Sequence, residues 1–133
     1  MTLLVPSVSK KVYLEGILNE VLTLKLYSNN KVPAVGDTAA SYTEVTGGGY
    51  VAKSLGFEGW TITEASPSVA TYAFQNFSFT GVTDAPSTIY GYFVVNASGV
   101  LRWAERFEES SVPFEPIAGS LIRVTPRFDL GGL

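Results

Sequence analysis

The residues best able to do chemistry in this chain lie close together. Trp103, Glu105 and Arg106 fall within one stretch, GYFVVNASGVLRWAERF (91–107), and Glu108 and Glu109 follow at once. An aromatic ring beside carboxylates suits carbohydrate. The ring can stack on a sugar, and two carboxyl groups roughly 5–10 Å apart can cleave a glycosidic bond. Glu44, Glu58 and Glu64 are further candidates for a second carboxylate. Two features argue against hydrolysis. Glu108–Glu109 run into Ser110–Ser111, which reads as a solvated loop. The alternation within 91–107 is also what a structural hairpin needs. On that reading Leu101, Trp103, Glu105 and Phe107 share one face with Tyr90, Tyr92 and Val94 opposite, and Glu105 pairs with a nearby arginine.

Other reactive classes are excluded or weak. The chain has no cysteine and no histidine, which removes disulfides, Cys-ligated metals, a thiol nucleophile and the commonest general base. A serine triad lacks its histidine, although a Ser–Lys dyad stays open. TGGGYVAK (46–53) has glycines and a lysine but not the GxxxxGK[ST] spacing, so it reads as a flexible turn or bulge between strands. Asp37, Asp84 and Asp129 stand apart, with no calcium-loop spacing. No catalytic, cofactor-binding or metal-binding residue is assigned, and no cofactor is expected.

The elements that must position these residues are mostly strands. One stretch has helical spacing: Leu14, Ile17, Leu18 and Val21 follow the i, i+3, i+4, i+7 pattern. It predicts a short helix over about residues 9–19, capped by Ser7 or Ser9. VLTLKLY (21–27) alternates, with Leu22, Leu24 and Leu26 on one face. Strands are expected at 40–46, 50–56, 59–66, 69–81, 88–95, 100–107 and 120–128. In 69–81, Tyr72 and Phe74 have one parity and Phe77 and Phe79 the other, so a bulge near Gln75–Asn76 is expected to reset the phase. NASG (96–99) suits a hairpin turn. Pro126 places the end of the last strand at a sheet edge. The pattern predicts an all-β, antiparallel sandwich or barrel of about eight strands with one short N-terminal helix.

Length and composition bound the rest. The 133 residues suit one domain spanning 1–133, with 1–8 a candidate N-terminal arm, and 46% hydrophobic content is enough for a core. Net charge is −3 and the nine basic residues are scattered, so no nucleic-acid partner is expected. No membrane partner is expected either, because no apolar run nears the ~20 residues of a span. The start shows no signal-peptide pattern. The sequons at Asn76 and Asn96 read as chance. The expected compartment is a cytoplasm or a particle assembled in one.

At YTEVTGGGYVAKSL, FSFTG and TIYGYFVVNASGVLRWAERF the chain resembles small virion proteins of tailed bacteriophages, some of which are capsid cement or decoration proteins. The resemblance covers about residues 20–128 and is strongest at Tyr-Gly-Tyr-Phe and Trp-Ala-Glu-Arg-Phe. It implies a jelly roll of about eight strands. It further implies a place on the outer capsid surface, with the major capsid protein as partner and self-association as a homodimer or homotrimer. A tail or tail-fibre component that binds a receptor or glycan through surface aromatics is the alternative, and a small carbohydrate-active enzyme is a third. Contact residues do not follow from the resemblance. The candidates are the apolar arm Leu3, Leu4 and Val5, able to add a strand to a neighbour's sheet, and the loop around Pro113, Phe114 and Pro116. There a phenylalanine between prolines could be a pre-ordered anchor or a plug for the domain's own core.

Overall fold

The computed structural model describes residues 7–63 and 69–129. A helix, α1 (Ser7–Leu18), opens the described chain. It starts earlier than the spacing suggests, so Ser7 and Ser9 lie within it instead of capping it. Leu14 and Leu18 are fully buried, while Val21, expected on the same face, is 66% exposed because the helix has already ended.

Nine strands follow among the described residues: β1 (Leu22–Tyr27), β2 (Lys53–Leu55), β3 (Trp60–Thr63), β4 (Val69–Tyr72), β5 (Gln75–Ser78), β6 (Gly91–Asn96), β7 (Leu101–Arg106), β8 (Leu121–Val124) and β9 (Arg127–Asp129). The count differs from eight for local reasons. The segments 69–81 and 120–128 each divide in two. The segment 40–46 forms a 3-10 turn, Ala39–Ser41, with a lone bridge from Glu44 to Tyr27. In that turn the Thr38 N–H donates to Ser41 Oγ (3.1 Å) and the Ser41 N–H to the Thr38 carbonyl (2.9 Å), local bonds that compete with a strand.

One layer is a four-stranded antiparallel sheet in the order β2-β1-β6-β7. The facing layer is made of β3-β4-β9 and β5-β8. These two short sheets are one bent ribbon. Thr71 pairs with Arg127 and Gln75 with Val124, and the Tyr72 N–H donates to the Pro126 carbonyl at 3.0 Å. Two residues, Ala73 and Phe74, therefore stand opposite the single Thr125. This is the phase reset expected nearby, placed just before Gln75. It turns Ala70 inward on one side of it and Phe77 and Phe79 inward on the other. Phe74 itself is left 51% exposed, with the Arg123 guanidinium 4.2 Å above its ring.

The main interior lies between the layers. Leu22, Leu24 and Leu26 of β1, Tyr92 and Val94 of β6, Phe77 of β5 and Ile122 and Val124 of β8 meet there with Leu14 and Leu18 of the helix. A second, smaller cluster lies on the back of the four-stranded sheet, where Tyr27, Tyr42, Phe93 and Val95 pack beneath the segment 28–45. Strand β6 is thus buried on both faces. The fold is antiparallel, mostly β and sandwich-like, with one short helix.

Candidate functional site

The hairpin from Gly91 to Phe107 forms as its turn residues require. Gly99 adopts φ +80°, and the Asn96 side-chain oxygen accepts from the N–H groups of Ser98 (3.0 Å) and Val100 (2.9 Å). Its faces differ from the parity reading in two places. A bulge between Val94 and Val95 pairs Val94 with Trp103 but Val95 with Leu101. Leu101 therefore joins the second cluster instead of sharing a face with Trp103. Tyr90 also packs on the second cluster, while Tyr92 faces the main interior. The phase changes at Gly91, where no side chain fits, because a Cβ would run into the Glu105 carbonyl oxygen and the Tyr27 ring.

The aromatic wall faces inward. Trp103 stacks on Phe128 (centroids 4.7 Å) and meets Trp60 edge-on at 5.9 Å, and Trp60 is 8% exposed. Among the described residues the two indole N–H groups and the Tyr92 hydroxyl are buried without a hydrogen bond of good geometry, the hydroxyl lying beside Trp103, Glu105 and the Arg127 backbone. Burial, with the nearby Glu105 charge adding to it, pushes the Tyr92 phenol up to about 12. The exposed aromatics among the described residues, Tyr13, Phe57 and Phe74, lie on the helix, on the turn before β3 and at the ribbon bulge.

Glu105 and Glu108 rim an open groove of about 550 Å³ that Phe107, Phe114, Ile122 and Arg123 also line. Both carboxylates are exposed, whereas a glycosidase acid depends on burial. The arginine beside Glu105 turns elsewhere. Arg106 Nε donates to Glu109 Oε1 at 2.7 Å and its Nη1 to Asn30 Oδ1 at 2.8 Å, while its guanidinium lies 5.1 Å from the Tyr90 ring centre. Among the described residues no group of three carboxylates gathers to hold a metal ion, and no helix is long and apolar enough to cross a membrane.

Of the expected contact residues, Leu3, Leu4 and Val5 lie outside the described residues. Pro113 is exposed, and Pro116 is fully buried. Phe114 packs against the main interior, and its backbone exchanges two hydrogen bonds with Ile89 (2.8 and 2.9 Å). TGGG forms a turn, as expected, closed by the Tyr50 N–H donating to the Gly47 carbonyl (3.1 Å) and bonded to the neighbouring loop. Gly47, Gly48 and Gly49 all have positive φ, the Thr80 N–H donates to the Gly48 carbonyl (2.9 Å), and Thr46 Oγ1 donates to Asp84 Oδ2 (2.9 Å).

Polar ties that the sequence does not announce fix the surface loops. Glu20, just past the helix, accepts from Arg102 Nε (2.7 Å), from Arg102 Nη2 (2.9 Å) and from the Asn96 amide (2.9 Å). The Arg102 and Asn96 bonds hold its carboxyl below the ordinary carboxylate range. Asp37 accepts from Lys31 Nζ (2.9 Å), the Ala34 N–H (2.8 Å) and the Tyr42 hydroxyl (2.8 Å). Lys31 is the largest cause of its lowered pKa. The partners of Glu20 lie 76 and 82 positions away, beyond any motif spacing, whereas those of Asp37 are local and lie within its own loop.

No known protein family, curated protein or solved structure matches this chain. What fold and site define together is a class, a sandwich-like antiparallel β domain whose loops are tied to its body.

Proposed function

We propose that this chain is a structural virion protein that binds the outer surface of a tailed-phage capsid and cements neighbouring major capsid protein subunits. The resemblance of 91–107 and its companion stretches suggests the class. The observation that carries the reading is the inward and tied-down disposition of its side chains. The tryptophans pack inside, and the loops are held by Glu20–Arg102, Arg106–Glu109 and Lys31–Asp37. A stiff body of this kind suits a clip. A clip that binds only the correctly spaced lattice stabilises that lattice by linkage, and many copies multiply a modest energy. The proposal does not depend on jelly-roll wiring. It needs two layers that do not shear, and a shared interior provides that.

Copy number per particle tests it, by quantitative mass spectrometry of purified virions. A number comparable to that of the major capsid protein is expected, and heads lacking the chain should burst at lower temperature. A far lower number would replace this reading with the tail or tail-fibre one. Absence from particles would overturn both.

A further inference from the structure

The groove rimmed by Glu105 and Glu108 is an open seam between the two layers. The end of β7, in one layer, forms one bank through Glu105, Phe107 and Glu108, and β8, in the other layer, forms the opposite bank through Leu121 and Ile122. Among the described residues β7 pairs only with β6 and β8 only with β5, so a strand edge flanks the seam on each side. The walls are apolar. Phe107 and Phe114 are half-buried, and Leu121 stays 50% exposed although it lines the groove. The charge is one-sided. Arg106 and Arg123 also line the groove, but both are engaged elsewhere. Arg106 is paired with Glu109 at 2.7 Å. Arg123 Nε donates to Asn76 Oδ1 of β5 at 3.2 Å, and its guanidinium covers Phe74. Glu105 and Glu108 make no ion pair among the described residues. The seam therefore holds two uncompensated carboxylates above apolar walls.

We propose that the seam takes an extended segment of a partner protein in which lysine or arginine alternates with apolar residues. An extended chain turns successive side chains to opposite sides. One set can cover Phe114, Leu121 and Ile122, the other can set cations beside Glu105 and Glu108, and the backbone can add to an open strand edge. Long basic side chains suit such a site because their stems are apolar and their heads charged. The charge also says what the segment is not. Neither 1–6 nor 130–133, the stretches that flank the described residues, contains a lysine or an arginine. The seam thus fits a different chain and not an end of this one.

The test uses the isolated chain, so its failure leaves the virion reading standing. The probe is acetyl-Val-Lys-Val-Lys-Val-amide, titrated to about 10 mM, which fills even a millimolar site, and followed by amide NMR shifts. Saturable shifts are expected at 105–108, 114 and 121–123. Glu105→Gln with Glu108→Gln should weaken binding about fivefold, because each exposed pair adds modestly. Both side chains are exposed, so this double variant should keep the wild-type circular-dichroism spectrum. Should it not fold, Glu108→Gln alone decides, at about twofold. No saturable shift, shifts confined to other surfaces, or an affinity unchanged in the folded Gln variant overturns the proposal. Equal binding of acetyl-Val-Glu-Val-Glu-Val-amide does the same. Cadaverine that binds as tightly as the lysine peptide would mean a site for free amines, and overturns it too.

Discussion

The two faces of the four-stranded sheet are stabilised by different means. The front face lies in a broad apolar interior, where Leu24, Leu26 and Val94 are fully buried against the opposite layer and the helix. The back face is a small aromatic cluster under a loop. Tyr27 meets Tyr42 edge-on at 4.9 Å, and Tyr42 stacks on Phe93 at 5.3 Å. The loop is held down by polar bonds. The Tyr27 hydroxyl donates to the Lys31 carbonyl (3.0 Å), the Asn29 amide to the Ser41 carbonyl (3.0 Å), and Tyr42 to Asp37. Apolar burial is insensitive to pH, while ion pairs and charge-assisted bonds are not. The back cluster should therefore respond to conditions that leave the interior unchanged.

The largest effect expected is from Leu24→Ala, which leaves a cavity in the interior and should cost about 2–5 kcal/mol in urea unfolding. A smaller loss there would mean the layers close over the gap and the interior is softer than this contrast requires. Gly91→Ala follows, at about 1–3 kcal/mol. It strikes the seam where the Tyr27 ring and the Glu105 carbonyl crowd one Cα, so it should loosen both faces in hydrogen exchange.

Tyr42→Phe removes one hydroxyl from Asp37 and should cost about 0.5–1.5 kcal/mol. Faster amide exchange confined to 28–45 would sharpen the contrast, and a global change would break it. Acid gives a related result without mutation. The carboxyls of Asp37 and Glu109 are lowered from ordinary values of 3.8 and 4.5, chiefly by Lys31 and Arg106. Their contribution is complete above those ordinary values and is lost as pH falls through the lowered ones. Exchange in 28–45 should therefore rise in acid before the main interior responds. At the other extreme, burial raises Tyr27 from 10.0 to about 12. Its contribution is complete below pH 10 and is lost as pH rises through about 12. A spectrophotometric titration should show a late-ionising tyrosine. The smallest effect is expected from Glu20→Gln, less than about 1 kcal/mol because the pair is partly solvated. It should appear as loosening of the 96–99 turn in relaxation measurements.

Some of this was legible residue by residue. The alternation of Leu22, Leu24 and Leu26 marks β1, and Asn96 with Gly99 marks the hairpin turn, because each signal is complete within a few neighbours. The parity conflict between Tyr72 and Phe77 correctly announces a bulge, though not its position, since Thr125 on the other strand decides which residues are left over. Leu101 is the instructive miss. Alternation puts it beside Trp103, and one bulged residue moves it to the opposite face. Glu44 reads as part of a strand, yet it accepts from the Tyr50 hydroxyl (2.9 Å) and pairs with Lys25 (3.4 Å).

The sequence by itself determined the class of most elements, the hairpin turn and most of the buried faces, but not the 3-10 turn at Ala39–Ser41. Period-two alternation and glycine or asparagine geometry act over a few residues and depend little on what lies beyond them. Tertiary structure alone decided which face each half of the ribbon presents, which arginine meets which glutamate, and that β7 ends its sheet among the described residues. Those outcomes depend on register between distant strands and on contacts across the chain, such as Glu20 with Arg102, 82 positions apart. A shift of one residue would reassign every partner, because in a strand each step turns the side chain to the other face.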